Sequence, residues 1–481
     1  MKAGSVTKCG DRILRVELVD ARCYAPGFHQ SCTSTGGYGV CPCRVEWAWG
    51  KVGVSVLTLL FCLFDYFPMH IVLFEDCYSP QLFPATIARP AFAISVGTYR
   101  LIDLALRFAS QVEVIPRRYL QEMIKGDFPH LWSPEKGQRA TPVLALNARV
   151  VPHIDFFHKI QDAVKKGKSG IVNSPCGIAC ALFSNENPLP NDAIGSAQLS
   201  GIIADMNLKP LDIQVSMLEY AHDIVRHHLR IMNDNLNDRL RTGEYKEVAD
   251  GVFTAEGQPL GEHCVTDSTH GPLVFERDVN IAPFCYFRGP VYVGRDTKII
   301  EHSALKDFVS VGNTAKIGGE VEASVIEGYS NKQHHGFLGH SYLGSWVNLG
   351  AGTSNSDLKN TYGEVVMEYA GAKVKTGMQF AGSFIGDYCK TAINTSIFTG
   401  KTIGACSMLY GFITTNVPSF VNYARTFGQV TETAVETLVA TQARMFARRN
   451  VQQRPCDVQL LRDIYEMTKH ERQLASEPLS L

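Results

Sequence analysis

The chain has 481 residues, 46 Lys+Arg against 47 Asp+Glu, 45% hydrophobic residues and 19% charged ones. A formal net charge of -1 excludes a general nucleic-acid binder, which needs a basic stripe to displace counterions. The apolar content excludes global disorder, and the length leaves room for about three domains of roughly 150 residues.

The first 68 residues read differently from the rest. Cys9, Cys23, Cys32, Cys41, Cys43 and Cys62 crowd into them, out of 14 cysteines in the whole chain. Residues 1–50 show neither helical nor strand periodicity, and Cys41-Pro-Cys43 lacks the second half of a zinc site. Gly36-Gly-Tyr-Gly39 follows no strand and is not a dinucleotide loop. The apolar run Val52–Phe67 carries Asp65 and is about 16 residues long, short of the ~20 that a spanning helix needs. A membrane anchor is the lesser reading here; the favoured one is an extension ahead of a working protein that starts at Met69. From there Met69-His-Ile-Val-Leu-Phe-Glu-Asp76 has the pattern of a buried strand.

From Met69 to about Glu244 strand-like and helical runs alternate. Met69–Phe74 and part of Thr141–Pro152 read as strands, and Ser95–Phe108, Asp155–Lys166 and Met217–Arg241 as helices. The alternation predicts an α/β domain with a parallel, doubly wound sheet over 69–250. Gly243–Gly251 reads as the linker out of it.

Between Val279 and Tyr410 the sequence counts in sixes. Ile281, Phe287, Val293, Ile299, Leu305, Val311 and Ile317 recur without a slip. The count returns at Phe337, Leu343 and Leu349, and again at Ile385, Thr391, Ile397 and Ile403, with Thr391 the single polar member. Neither a helix nor a flat sheet has this period. A parallel β-helix does, with one inward aliphatic residue and one turn per side of a triangular coil. The span 251–425 is therefore expected to be a β-helix. The remainder, 426–481, has helical composition that Pro455 divides in two, as expected of a cap or a trimer-packing element.

The stretch Gly319–Gly344, continuing through Trp346-Val-Asn-Leu-Gly-Ala-Gly-Thr353 to Asn360, is distinctive. So are Ile71-Val-Leu-Phe-Glu-Asp76, Leu82-Phe-Pro-Ala-Thr86, Arg89-Pro90 and Leu146-Asn-Ala-Arg149. Together they resemble the alternative bacterial branch of the bifunctional UDP-N-acetylglucosamine diphosphorylase/glucosamine-1-phosphate N-acetyltransferase family, over about residues 69–425. The resemblance implies an α/β nucleotidyltransferase-like domain followed by a left-handed parallel β-helix of hexapeptide repeats. It also implies a cytoplasmic homotrimer. The first half would join a nucleoside triphosphate (UTP) to a sugar 1-phosphate with Mg2+; the second would move the acetyl group of acetyl-CoA to an amino sugar phosphate.

Acetyl transfer needs a base for the amine proton, and a histidine titrating near neutrality suits it. His334 and His335 sit where the hexad register breaks. His334 falls at the family's catalytic position when Phe337-Leu-Gly339 is aligned, and Asn348 at that of its substrate-binding asparagine. Arg288, Lys332 and Lys359 are further phosphate or substrate candidates, and Arg89 a candidate for the nucleotidyl half. Without the resemblance, a surface histidine pair reads as solvated and Arg288 as a coil corner. His334, His335 and His340 lack the spacing of a zinc site. The metal ligands stay open, with Asp76 and Asp223 the weak candidates for Mg2+.

The pattern departs from the family at three places. Glu322 stands where a phosphate-binding lysine is expected, Phe337 replaces a tyrosine, and Glu75-Asp76-Cys77-Tyr78 replaces the glycine-rich phosphate loop after the first strand. Two rival readings follow: a nucleotidyltransferase with a purely structural β-helix, and a non-catalytic hexapeptide-repeat scaffold that binds a sugar nucleotide. On each reading the partners are small molecules, without nucleic acid or membrane.

Overall fold

In the computed structural model the described residues are 69–131, 141–190 and 196–475. The readings of Cys41-Pro-Cys43, Gly36–Gly39 and the apolar run 52–67 lie outside them.

Short apolar runs, His70–Phe74 and Val143–Asn147 buried along their whole length, build the centre of the first sheet. The first strand, β1 (His70–Phe74), pairs in parallel with β2 (Gln111–Ile115) and β3 (Val143–Asn147). Two further strands, β4 (Gly170–Ser174) and β5 (Gly177–Phe183), complete the order β2-β1-β3-β5-β4. The sheet is not wholly parallel, because β5 runs antiparallel to both β3 and β4. Only Pro175 and Cys176 separate β4 from β5, a hairpin length that cannot hold a crossover.

Five helices cover this sheet: α1 (Leu101–Phe108), α2 (Gln121–Asp127), α3 (Ile154–Lys165), α4 (Ser196–Asp205) and α5 (Asp223–Thr242). Alternation along the strands sorts the two faces. Ile71, Leu73, Leu144 and Leu146 pack with Leu101, Phe157 and Ile224, whereas Val72, Phe74, Val143 and Ala145 pack with Leu199 and Ile203. The helix expected from Ser95 begins only at Leu101. Gly97 (φ 58°) and Thr98 (φ 77°) form a left-handed turn that pairs Ser95–Val96 with Tyr99–Arg100. Similarly, α5 starts at Asp223 rather than Met217, since the Asp223 carboxylate accepts the backbone N–H groups of Glu219 and Tyr220. The expected linker also holds structure: Lys246–Ala249 pairs with Val252–Thr254 at the edge of the next sheet.

The second half is a left-handed parallel β-helix. Its first face runs from Val252–Thr254 through Val291–Val293, Val309–Val311 and Tyr342–Leu343 to Lys401–Ile403. The second stacks Val265–Asp267, Tyr286–Arg288, Ala304–Lys306, Glu320–Glu322 and Phe337–Gly339. The third stacks Asn280–Ile281, Lys298–Ile299, Lys316–Ile317 and Asn331–Lys332. Ile299, Leu305, Val311 and Ile317 are all buried, so the six-residue count is the inward count. Between the first and third faces the chain turns through Asp278, Asp296, Thr314, Tyr329, Trp346, Tyr388, Cys406 and Phe420, each with φ between 58° and 66°. A left-handed non-glycine residue costs about 1–2 kcal/mol, and stacking of coil on coil repays it; the Tyr329 and Trp346 rings lie 4.4 Å apart.

The first face packs against the α/β half: Val325, Tyr342 and Phe384 join its core, and Val274 and Tyr292 meet Met232 and Leu236. The excursion 356–382 carries the hairpin Val366–Tyr369/Ala372–Lys375 to the same half, where the Tyr369 hydroxyl lies 2.8 Å from His222 Nδ1. At the C-terminus stand α6 (Val435–Ala447), α7 (Pro455–Met467) and α8 (Lys469–Ala475). Pro455 opens α7, where its missing N–H costs nothing. Leu438, Phe446, Leu460 and Ile464 pack on Tyr388, Cys406 and Phe420 of the corner column and on Ile87 and Leu120 of the α/β half. Among the described residues no helix is long and apolar enough to cross a membrane.

Candidate functional site

On the third face each inward residue follows an outward one. The outward positions Lys298, Lys316, Asn331, Asn348 and Lys390 stand in register on successive rungs, about 4.8 Å apart. Asn331 Nδ2 donates to Asn348 Oδ1 at 3.3 Å, and Arg449, just past α6, donates to Asn331 Oδ1 at 2.5 Å. Burial lowers the pKa of Lys316 and Lys390, and burial followed by Arg448 lowers that of Arg449. Among the described residues none of Lys298, Lys316, Lys390, Arg448 and Arg449 has a carboxylate partner. Five cations without counter-charge make this face attractive to an anion.

At the edge of that face the chain leaves the hexad register over Gln333–Gly336 and thrusts His334 and His335 outward, both exposed. Neither imidazole makes a hydrogen bond among the described residues. The backbone bends back through Gly336 (φ 124°) and Gly352 (φ 75°). A Cβ on Gly352 would stand 3.4 Å from His335 Nε2 and would collide with Asn394, so glycine lets the ring and the amide approach. His334 and His335 thus stand at the end of the face whose outward row carries Asn348.

The other expected residues fall elsewhere. Lys332 lies inside the coil, 2% exposed, where it cannot touch a substrate. Arg288 belongs to the second face, three rungs below Gly339, and its guanidinium is held by Asp307 through Nε at 2.8 Å and through Nη2. Beside it Lys306 pairs with Glu320 at 2.5 Å and Glu322 at 3.2 Å. Lys359 stands in the excursion, where its carbonyl accepts the Tyr362 N–H. Arg89 is not open to a nucleotide: it pairs with Asp387 and, at 3.6 Å, with Glu327, both from the β-helix.

One arrangement had no signal in the sequence. His340 Nδ1 lies 2.8 Å from Asp357 Oδ2, and the ring stacks on Phe380 with centroids 5.1 Å apart. The excursion closes this contact. The lysines of the third face were missed as well, although Lys298, Lys316 and Lys390 each precede an inward hexad residue, the signal that could have found them.

In the α/β half both carboxylates at the end of β1 are already bound. Glu75 accepts the N–H of Ala91 at 2.9 Å and the backbone N–H and Nε of Arg117 at 2.9 and 3.0 Å. Asp76 accepts Arg149 Nε at 2.8 Å, Arg149 Nη2 at 2.6 Å and Asn147 Nδ2 at 2.8 Å. Asp223 is paired with Arg226 and the two N–H groups that start α5. Among the described residues no three His, Cys, Asp or Glu side chains form a group able to hold a metal ion. Asp76 and Asp223, the expected Mg2+ ligands, are thus each turned onto an arginine.

An α/β sheet domain is thus joined to a β-helix of hexapeptide repeats. Over residues 71–241 the chain matches the family described as sugar nucleotidyl transferase. The chain is 34% identical over 142 residues to the "Bifunctional sugar-1-phosphate nucleotidylyltransferase/acetyltransferase" of Sulfurisphaera tokodaii, covering 29% of this chain and 35% of that one. It is 30% identical over 118 residues to the "Bifunctional protein GlmU" of Methanococcus vannielii (24% and 27% of the two chains). A further protein of that name, from Thermotoga petrophila, is 25% identical over 217 residues (44% and 42%). The matches thus span about a third of the length of the first two relatives.

Proposed function

We propose that the chain makes an acetylated sugar nucleotide, with the β-helix transferring acetyl from acetyl-CoA to an amino sugar phosphate. One observation carries this reading: exposed His334 and His335 leave the coil at the end of the third face, whose outward row holds Asn348, Lys316 and Lys390, with Arg449 bonded to Asn331 of the same row. The cations would hold the phosphate, and Asn348 a sugar hydroxyl or the acetyl oxygen. His334, or His335 beside it, takes a proton from the amine as nitrogen attacks the thioester carbon. The C–N bond forms, the C–S bond breaks, and the thiolate leaves with the proton. Lys359 remains a candidate at the rim. Arg288 and Arg89 are spoken for by Asp307 and Asp387, and Lys332 by the loop backbone.

The α/β half, 69–250, would join a sugar 1-phosphate to UTP; the family match over 71–241 supports this. The occupied end of β1 favours a second reading, in which this half keeps the fold and braces the β-helix without nucleotidyl transfer. The working form is a cytoplasmic homotrimer. Supporting it, Phe284 and Ile393 (55% and 70% exposed) lie in the corner between the third and second faces and Phe412 (57%) in the continuation of the second, while the first face is already covered.

The deciding experiment measures thiol release from acetyl-CoA with glucosamine 1-phosphate, and pyrophosphate release from UTP with a sugar 1-phosphate. Acetyl transfer lost in both His334→Ala and His335→Ala supports the site. Full activity in both variants refutes it, and acetyl transfer without pyrophosphate release selects the second reading.

A further inference from the structure

Lys332 occupies a position that the repeat reserves for an aliphatic side chain. It stands in register on Ile317, and Leu349 follows on the next coil. Its stem fills the core while Nζ turns toward the corner, donating to Gly318 O at 2.7 Å and His334 O at 2.8 Å. Those carbonyls belong to corner turns of two successive coils. Gly319 (φ 69°) makes room: a Cβ there would lie 2.8 Å from Nζ and 2.9 Å from His335 Cα.

Enclosing an ammonium costs several kcal/mol, and a methionine would fill the same volume without that cost. Burial lowers this lysine's pKa to about 8, opposed by Glu320 alone. What lysine offers over methionine is a bridge from the Gly318 corner to the backbone that carries the imidazoles. We propose that Lys332 is a positioning residue, pinning the Gln333–Gly336 loop from inside the coil and so fixing where His334 and His335 stand. The consequence for rate rests on the acetyl-transfer reading; the anchoring does not.

The test compares Lys332→Met and Lys332→Gln with the wild type, all as the full chain. Two amides report on the loop directly: Glu320 N–H bonds to Gly336 O, and Gly352 N–H to His335 O. In Lys332→Met both should exchange hydrogen about tenfold faster or more, with an unchanged circular dichroism spectrum. The kcat for thiol release should fall about tenfold or more while KM for acetyl-CoA stays within about twofold. Lys332→Gln, which keeps an N–H donor, should lie between; it also replaces the methionine variant if that one does not fold. Wild-type exchange at both amides in the folded variant would overturn the proposal. If the wild type shows no acetyl transfer, the functional reading falls and the exchange data still decide the role of Lys332.

Discussion

Replacing Arg89 by methionine separates two roles for this residue. In the structure its guanidinium joins the two halves of the molecule, reaching Asp387 and Glu327 across the interface, with side-chain exposures of 15%, 3% and 6%. Methionine keeps much of the stem but leaves both carboxylates buried. Glu327 retains the Ser95 N–H at 2.8 Å, the Ser95 hydroxyl at 3.0 Å and the Tyr342 hydroxyl at 3.3 Å; Asp387 retains the Ser345 N–H at 2.5 Å. These neutral donors soften the loss without cancelling a charge. Removing one partner of a buried pair costs about 3–5 kcal/mol. Urea unfolding should therefore show that loss, and Asp387→Asn with Glu327→Gln in the Arg89→Met background should restore most of it. A nucleotide-binding arginine behaves differently, raising the KM for the triphosphate with little change in stability. A loss under about 0.5 kcal/mol would refute the interface role.

Acid should weaken the fold through α5. Burial lowers the pKa of His222, His227 and His228 from 6.5 to about 4, only partly offset by Asp223 beside the first two. Their contribution is complete above about pH 6.5 and is lost as pH falls toward 4, because the unfolded chain takes up protons first. Each histidine accounts for at most about 3 kcal/mol, so the urea midpoint should be flat above pH 7 and fall steeply below 6. Gly339→Ala would drive a Cβ into the Asp357 carboxylate and the Phe337 ring. It should cost about 1–3 kcal/mol and shift the His340 imidazole resonances in NMR; unchanged resonances would count against the contact. Lys316→Gln and Lys390→Gln should each raise KM for the amino sugar phosphate about tenfold or more, with a weaker salt dependence. Unchanged KM in both would move the phosphate elsewhere.

The repeat was the most legible part of the fold because it is local: inward residues at fixed spacing dictate the coil whatever lies around it. Even there Lys332 misled. Its charge suggested a ligand, whereas its register, one coil after Ile317, placed it inside. Arg288 and Arg89 misled for a related reason. A sequence shows a charge but not the carboxylate that answers it, and Asp307 and Asp387 lie 19 and 298 residues away. The antiparallel β4–β5 pair was hidden because buried strands look alike in either direction, and only the two-residue turn between them decides. The His340–Asp357 contact depends on an excursion that returns, which no spacing encodes.

That excursion has a wider consequence. The chain leaves the coil at 356 and re-enters at 383 on the same rung sequence, so that Asn348 still finds Lys390 and Ser354 still finds Ser396. A corner of this β-helix therefore works as a splice point. Foreign sequence can be seated there at a closure cost that grows by only about 0.6 kcal/mol for each doubling in length. The coils are the fixed pitch of a screw, and novelty can be threaded between turns without changing the pitch.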